Sequence, residues 1–100
     1  MGESIRKRPA IHLETLMRAG FLSAGDKLVW NRSLRHELHV ATVNERGLIE
    51  LADGRAFASP SSAAAAVAGG AYNGWTTWKV GGEDGPLLCE LRDRLKLGPQ

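Results

Sequence analysis

The sequence predicts an α+β fold: one small domain in which about three helices pack on one face of a mostly antiparallel sheet. Three observations lead to this prediction. Runs of β-forming residues are separated by turn dipeptides, apolar residues recur at helical spacing near both ends of the domain, and an alanine-rich helix interrupts the strands. No repeat and no linker divides the 100 residues, so we expect two layers around one core, in the order α-β-β-β-β-α-β-α.

The first half of the domain is expected to hold one helix and two strands. Apolar residues at helical spacing predict a helix from Ile11 to Ala19, and Gly20 is placed to end it. Strands are predicted at Lys27–Asn31 and Leu34–Val43. In the second strand, one face is expected to carry Leu34, His36, Leu38 and Val40, and the other Arg35, Glu37 and His39.

The second half is expected to hold a hairpin, a later strand and two helices. Strands at Gly47–Leu51 and Arg55–Ala58 flank an Asp-Gly pair, which is a strong hairpin signal. A further strand is predicted at Trp75–Val80, where β-formers follow an Asn-Gly turn. A final helix at Pro86–Leu97 would turn four leucines inward.

The helix between these strands has a well-defined start. Ser59 is a good N-cap, Pro60 suits the first helical position, and Gly69 follows the alanines and ends the helix. Backbone N–H groups of a first helical turn point outward at the positive end of the helix dipole, and the hydroxyls of Ser61 and Ser62 add donors there. This start is therefore either a cradle for a phosphate oxygen or an ordinary capped helix.

Two tryptophans follow the turn dipeptide Asn73-Gly74. Trp75 and Trp78 are three residues apart, so on a strand they would point to opposite faces. We expect one of them to enter the core and the other to lie nearer the surface, where it could contact a ligand. The alternative is that both are core residues, because large aromatic side chains dominate the burial of a small domain.

These motifs resemble the RAMA (restriction enzyme adenine methylase associated) domain, over about Ile11 to Leu95. The resemblance implies a DNA-binding module, and some related domains are proposed to read modified DNA. It carries the functional expectation onto Ser59, Ser61, Asn73, Trp75 and Trp78. The matching segments are Ala19–Leu22, Ala24–Leu28, Ala41–Val43, Gly47–Ile49, the Ser59-Pro60-Ser61 helix start, Asn73-Gly74-Trp75 with Trp78, and Leu88–Arg92.

The distribution of charge is more informative than the formal net charge of +2. Arg32, Arg35 and Lys79 are candidates for electrostatic contacts with a phosphate backbone, beside Ser62 at the helix start. Residues 1–10 are expected to form a flexible basic arm before the domain at residues 11–97, and residues 98–100 a loose tail.

No pattern in the chain indicates catalysis, a metal site or a cofactor. His36 and His39 are expected on opposite faces of one strand, where they could not readily share a metal. The only cysteine, Cys89, lies among leucines and cannot form a disulfide within the chain. No signal peptide and no membrane-spanning apolar run is present, so a cytoplasmic protein is expected.

The sequence is thus interpreted as a non-catalytic module that binds double-stranded DNA. Through the resemblance, the expected ligand includes DNA with N6-methyladenine, and the expected setting is restriction-modification, with a methyltransferase or nuclease as partner. The competing interpretation is a protein-interaction module or homodimer, in which an exposed tryptophan and a sheet edge bind another chain.

Overall fold

The structure, a computed structural model, describes residues 12–97 and confirms the α+β class and the expected order of elements. The predicted arm at residues 1–10 and tail at residues 98–100 lie outside the described residues. The elements are α1 (Leu13–Arg18), β1 (Lys27–Arg32), β2 (Glu37–Val43), β3 (Ile49–Leu51), β4 (Ala56–Phe57), α2 (Pro60–Ala68), β5 (Lys79–Val80) and α3 (Leu88–Leu97), with single 3₁₀ turns at Ser33–Arg35 and Gly74–Thr76.

The five strands form one antiparallel sheet in the order β4-β3-β2-β1-β5. The longest pairing joins β1 to β2, from Lys27 opposite Thr42 to Arg32 opposite Glu37. The register places Leu28, Ala41 and Leu51 side by side on one face of the sheet. That face is packed, whereas the other carries the exposed side chains of Leu38 and Val40.

The core lies between the packed face of the sheet and the three helices. Each helix buries small or branched apolar residues against the strands, as a two-layer fold requires. None of the helices in residues 12–97 is long and apolar enough to cross a membrane. The fully buried core residues include Leu13, Leu16, Leu28, Val43, Ile49, Ala63, Ala64, Trp78 and Leu88.

Two strand predictions were wrong at their starts by three residues or more. The strand predicted from Leu34 begins at Glu37, because the chain first makes a 3₁₀ turn and then passes through a left-handed backbone conformation at His36, with φ of 55°. Leu34 and His36 are therefore outside the strand. Within the strand the predicted alternation holds, with Glu37 and His39 on the packed face and Leu38 and Val40 on the open one.

The strand predicted from Trp75 is the larger error, since only Lys79 and Val80 are paired and Gly74–Thr76 is a 3₁₀ turn. The two tryptophans nevertheless differ in burial, as the first of the two alternatives expects, although Trp75 also packs against the core. Trp78 is fully buried in the core, and Trp75 is partly exposed.

Helix α2 follows the prediction closely. Ser59 is its N-cap, Pro60 is its first residue, and Gly69 closes it in the left-handed conformation with φ of 78°. The backbone N–H of Gly69 donates to the carbonyl of Ala65, as is usual for a glycine that ends a helix. The helix therefore starts and stops where its local sequence dictates.

Candidate nucleic-acid interface

The turn that carries the two tryptophans is held by its own side chains. The Asn73 side-chain oxygen accepts a hydrogen bond from the backbone N–H of Trp75 at 3.0 Å. The hydroxyl of Thr76 donates to the carbonyl of Asn73 at 3.0 Å, and that of Thr77 to the carbonyl of Gly74 at 3.3 Å. These local bonds compete with pairing to β1, which is why the segment is a turn rather than the predicted strand. We call residues Asn73–Thr77 the Asn-Gly-Trp turn.

This turn docks directly on the start of α2. The backbone N–H of Gly74 donates to the Ser61 hydroxyl oxygen at 2.9 Å. The indole N–H of Trp78 donates to the carbonyl of Pro60 at 3.1 Å, and this bond is buried. The helix start and the tryptophan-bearing turn thus form one structural unit.

The first turn of α2 has few backbone donors left for a ligand. Pro60 has no N–H, and the N–H of Ser62 donates to the Ser59 hydroxyl oxygen at 3.0 Å. The N–H of Ser61 lies under Gly74, where an added Cβ would be 2.5 Å from it. The polar groups that face outward here are side chains, chiefly the exposed Ser62 and Asn73. A phosphate cradle built from backbone N–H groups is therefore not what the geometry offers.

A guanidinium completes the site. Arg92 of α3 lies over the ring of Trp75, with its central carbon 4.6 Å from the ring centroid. The Arg92 Nε is buried without a hydrogen-bond partner, and no carboxylate in residues 12–97 lies within ion-pair distance of this side chain. We call the group formed by Ser59, Ser61, Ser62, Asn73, Trp75 and Arg92 the α2-start surface.

Arg32 supports this surface from below. Its guanidinium is largely buried, 5.1 Å from the Trp30 ring centroid and 5.3 Å from that of Tyr72. It donates to the Glu37 carboxylate at 3.0 Å and to the Tyr72 hydroxyl at 3.1 Å. Because Tyr72 immediately precedes Asn73, Arg32 ties strand β1 to the Asn-Gly-Trp turn.

The other two cationic candidates lie elsewhere. Lys79 points to the open face of the sheet, donates to the backbone carbonyl of Glu83 at 3.1 Å, and lines a cleft that also contains the carboxylates of Glu83 and Asp84. Arg35 is exposed on the 3₁₀ turn between β1 and β2. The structure thus brings together the serines, Asn73 and Trp75, places Trp78 and Arg32 beneath them, and leaves Lys79 and Arg35 apart.

Comparison with known families shows which family the chain belongs to. The model of the family described as Restriction Enzyme Adenine Methylase Associated matches residues 2–97. The chain belongs to the RAMA family. This confirms the resemblance seen in the sequence and associates the domain with restriction-modification. No curated protein matches the chain closely enough in sequence to be reported as a relative.

Arg92 was not among the site residues predicted from the sequence of this RAMA domain. A signal was present, because Arg92 lies four residues after Leu88 and next to Leu91, at the border of the apolar face of α3. A cation at such a border packs its stem against neighbouring apolar groups and keeps its head near the surface. What it packs against, the ring of Trp75, depends on tertiary structure.

Within residues 12–97 no three His, Cys, Asp or Glu side chains are grouped so that they could hold a metal.

The contacts of the Glu37 carboxylate are expected to make the stability of the RAMA domain depend on pH. The pKa of Glu37 lies below its ordinary value of 4.5, because His39 hydrogen-bonds to its carboxylate and the Arg32 guanidinium is nearby. A carboxyl group whose pKa is lower in the folded state stabilises the fold at pH values above its unfolded-state pKa. This contribution is lost as the pH falls through the folded-state pKa. We expect Glu37→Gln to melt below the wild type near pH 6, and the difference to shrink near pH 3. Melting followed by circular dichroism checks this, and a difference independent of pH would contradict it.

Proposed function

We propose that this RAMA domain is a non-catalytic module that binds double-stranded DNA through the α2-start surface, in the cytoplasm and alongside a methyltransferase or nuclease. One observation carries the proposal. Arg92 forms no ion pair within residues 12–97, and it lies over a partly exposed indole beside two exposed polar side chains. Guanidinium groups bind phosphates in a bidentate manner, and hydroxyl and amide side chains commonly contact the DNA backbone.

The arrangement suits a ligand with both anionic and planar parts. Arg92 supplies the charge, the Trp75 indole supplies a flat apolar surface, and Ser62 and Asn73 supply neutral hydrogen-bonding groups. The site is also held in place before binding, since Asn73 and Ser61 each accept a hydrogen bond from the turn. A preorganised site loses less conformational entropy when a ligand binds.

Reading of N6-methyladenine, as part of this proposal, would depend on Trp75. An extra methyl group needs an apolar or aromatic contact. Trp78 is fully buried, and Trp30 and Tyr72 already hold the Arg32 guanidinium between them. Trp75 is partly exposed and is the aromatic residue of the α2-start surface, so it is the candidate for contact with the methyl group.

The proposal predicts that Arg92→Ala weakens binding to a labelled duplex. Fluorescence anisotropy at several salt concentrations should show the affinity falling by about fivefold to tenfold, with the slope of log affinity against log salt smaller by about 1. Trp75→Ala should lower the affinity to a similar extent, because base or sugar contact with the indole is lost. An adenine-methylated duplex compared with an unmodified one tests the reader function in the same assay.

Arg46→Ala is the matched control. Arg46 is an exposed arginine in the turn between β2 and β3, at the end of the sheet opposite the Asn-Gly-Trp turn. Its removal changes the net charge by the same amount, so an effect of charge alone would appear in both variants. Equal, small effects of Arg92→Ala and Arg46→Ala, or no salt-sensitive binding by the wild type, would contradict the proposal.

A second candidate function, self-association or binding to another protein, is favoured by the open face of the sheet. Leu38 and Val40 lie side by side along β2, and their residues are 56% and 43% exposed. Light scattering over a range of concentrations distinguishes the two functions. A mass that rises with concentration and falls back in Leu38→Lys would favour this candidate.

A further inference from the structure

The connection between β1 and β2 carries the most exposed large hydrophobic residue in residues 12–97. Leu34, in the 3₁₀ turn, is 98% exposed, and its neighbours Ser33, Arg35 and His36 are exposed as well. A leucine with no packing partner contributes nothing to the core. We call residues Ser33–His36 the tip.

The tip is firmly supported at its base. The β1–β2 ladder continues without a break to the pair Arg32 and Glu37, whose side chains form a 3.0 Å ion pair. The backbone N–H of His36 donates to the carbonyl of Ser33 at 3.1 Å and closes the turn. Leu34 and Arg35 are therefore exposed at the end of a hairpin that is paired up to its last strand residues.

The charge of the tip fits a polyanion. No acidic residue occurs from Asn31 to His36. The next residue along the chain, Glu37, is directed to the packed face and bonded to Arg32 and His39, and the carboxylate of Glu83 is occupied by a 2.9 Å hydrogen bond from Asn31. Arg35 has no ion pair within residues 12–97. An exposed leucine beside an unpaired guanidinium is a combination that proteins use to enter the minor groove of DNA, where apolar side chains wedge against base steps and arginines follow the narrow, negative groove.

The tip lies beside the Asn-Gly-Trp turn, which contributes Asn73 and Trp75 to the α2-start surface. β5 pairs antiparallel with β1, so the residues before Lys79 run beside the end of β1. Ser33 of the tip and Thr76 of the Asn-Gly-Trp turn line the same cleft, of about 450 Å³. A duplex is long enough to contact both places at once.

We propose that the tip is a second DNA contact, entering the minor groove of the duplex that binds the α2-start surface, with Arg35 in the groove and Leu34 against a base step. This inference rests on the proposed function. The minor groove is favoured over the major groove because the tip is a narrow turn with one guanidinium. It offers neither the helix nor the two-stranded ribbon of hydrogen-bonding side chains that reads the major groove.

The test uses the whole chain and a duplex labelled at both ends, so that anisotropy reports affinity and energy transfer reports bending. Arg35→Ala should lower the affinity about fivefold and reduce the salt slope by about 1. Leu34→Ala should lower the affinity about threefold to tenfold and straighten the bound duplex, with the salt slope unchanged. A minor-groove-binding polyamide should compete with the wild type.

Two controls accompany these variants. Arg46→Ala removes the same charge at the opposite end of the sheet, and Leu38→Ala removes an exposed leucine from the open face; both should bind and bend as the wild type does. If the wild type binds but Leu34→Ala and Arg35→Ala match these controls, the tip proposal is overturned and the α2-start surface stands. If the wild type does not bind any duplex, the proposed function itself fails.

Discussion

Gly74→Ala adds one methyl group to the Asn-Gly-Trp turn. It is expected to destabilise the domain more than the addition or removal of a methyl group elsewhere in this turn. A Cβ on Gly74 would overlap the carbonyl carbon and oxygen of Pro60 and would lie 2.5 Å from the amide nitrogen of Ser61. These atoms are helix backbone and cannot move aside as a flexible side chain would. The turn would have to separate from α2, which would also break the bond from Gly74 to Ser61. We expect a loss of about 3 kcal/mol in the free energy of unfolding.

Urea unfolding followed by circular dichroism measures this loss. Gly82→Ala is the matched control, since a Cβ there meets no atom within 4 Å and the residue is not in the left-handed region. The control should remain within about 0.5 kcal/mol of the wild type. Similar unfolding midpoints for the two variants would show that the close approach of Gly74 to α2 is not required for stability.

Replacement of Trp78 by phenylalanine is expected to have the second large effect. Trp78 is fully buried, packs edge-on against Trp30 at a centroid distance of 5.9 Å, and donates its indole N–H to Pro60. Phenylalanine would leave a cavity and an unpaired carbonyl at Pro60, in place of a buried hydrogen bond. The expected loss is about 3 kcal/mol in the free energy of unfolding.

Trp75→Phe is the comparison for this variant, because it makes the same chemical change at the partly exposed tryptophan. There we expect less than about 1 kcal/mol of destabilisation, because a partly exposed side chain loses less buried contact. For DNA affinity we expect the opposite order. Relative to the stability that each variant loses, Trp75→Phe should lower the affinity more than Trp78→Phe. Equal destabilisation of the two variants would contradict the division of the tryptophans into one core residue and one surface residue.

The elements that depend on local chemistry could be predicted from the sequence. Ser59 and Pro60 mark the start of α2, and Gly69 marks its end, because capping and the left-handed conformation are properties of a few neighbouring residues. The Asp-Gly hairpin between β3 and β4 is a similar case. For the same reason the order of all eight helices and strands was correct.

The residues from Trp75 do not form the predicted strand, because side-chain bonding to the backbone outweighs their β-propensity. Asn73, Thr76 and Thr77 are each able to bond to nearby backbone groups, and in the structure all three do so. The pattern Asn-Gly-x-Thr-Thr therefore contained the information that a turn forms there. The sequence alone does not show whether these side-chain bonds outweigh the β-propensity of the tryptophans, because the contact of the turn with α2 belongs to the tertiary structure.

The candidate site shows a different limit of sequence reasoning. Arg32 and Arg35 are both candidates for phosphate contact from the sequence, but Arg32 turns to the packed face and bonds Tyr72, forty residues further along the chain. Arg92 reaches Trp75 from another helix. Contacts between residues so distant in sequence follow from the packing of the whole domain, and no local pattern encodes them.

The two outer strands of the sheet, β4 and β5, pair over only two residues each. Short outer strands expose few free backbone N–H and C=O groups, so they make a poor template for an added strand from another molecule. A neighbouring protein could therefore be joined to this domain, or lie close to it, without exchange of strands. Copies of the domain brought close together by the proposed DNA binding should for the same reason resist aggregation through their sheets.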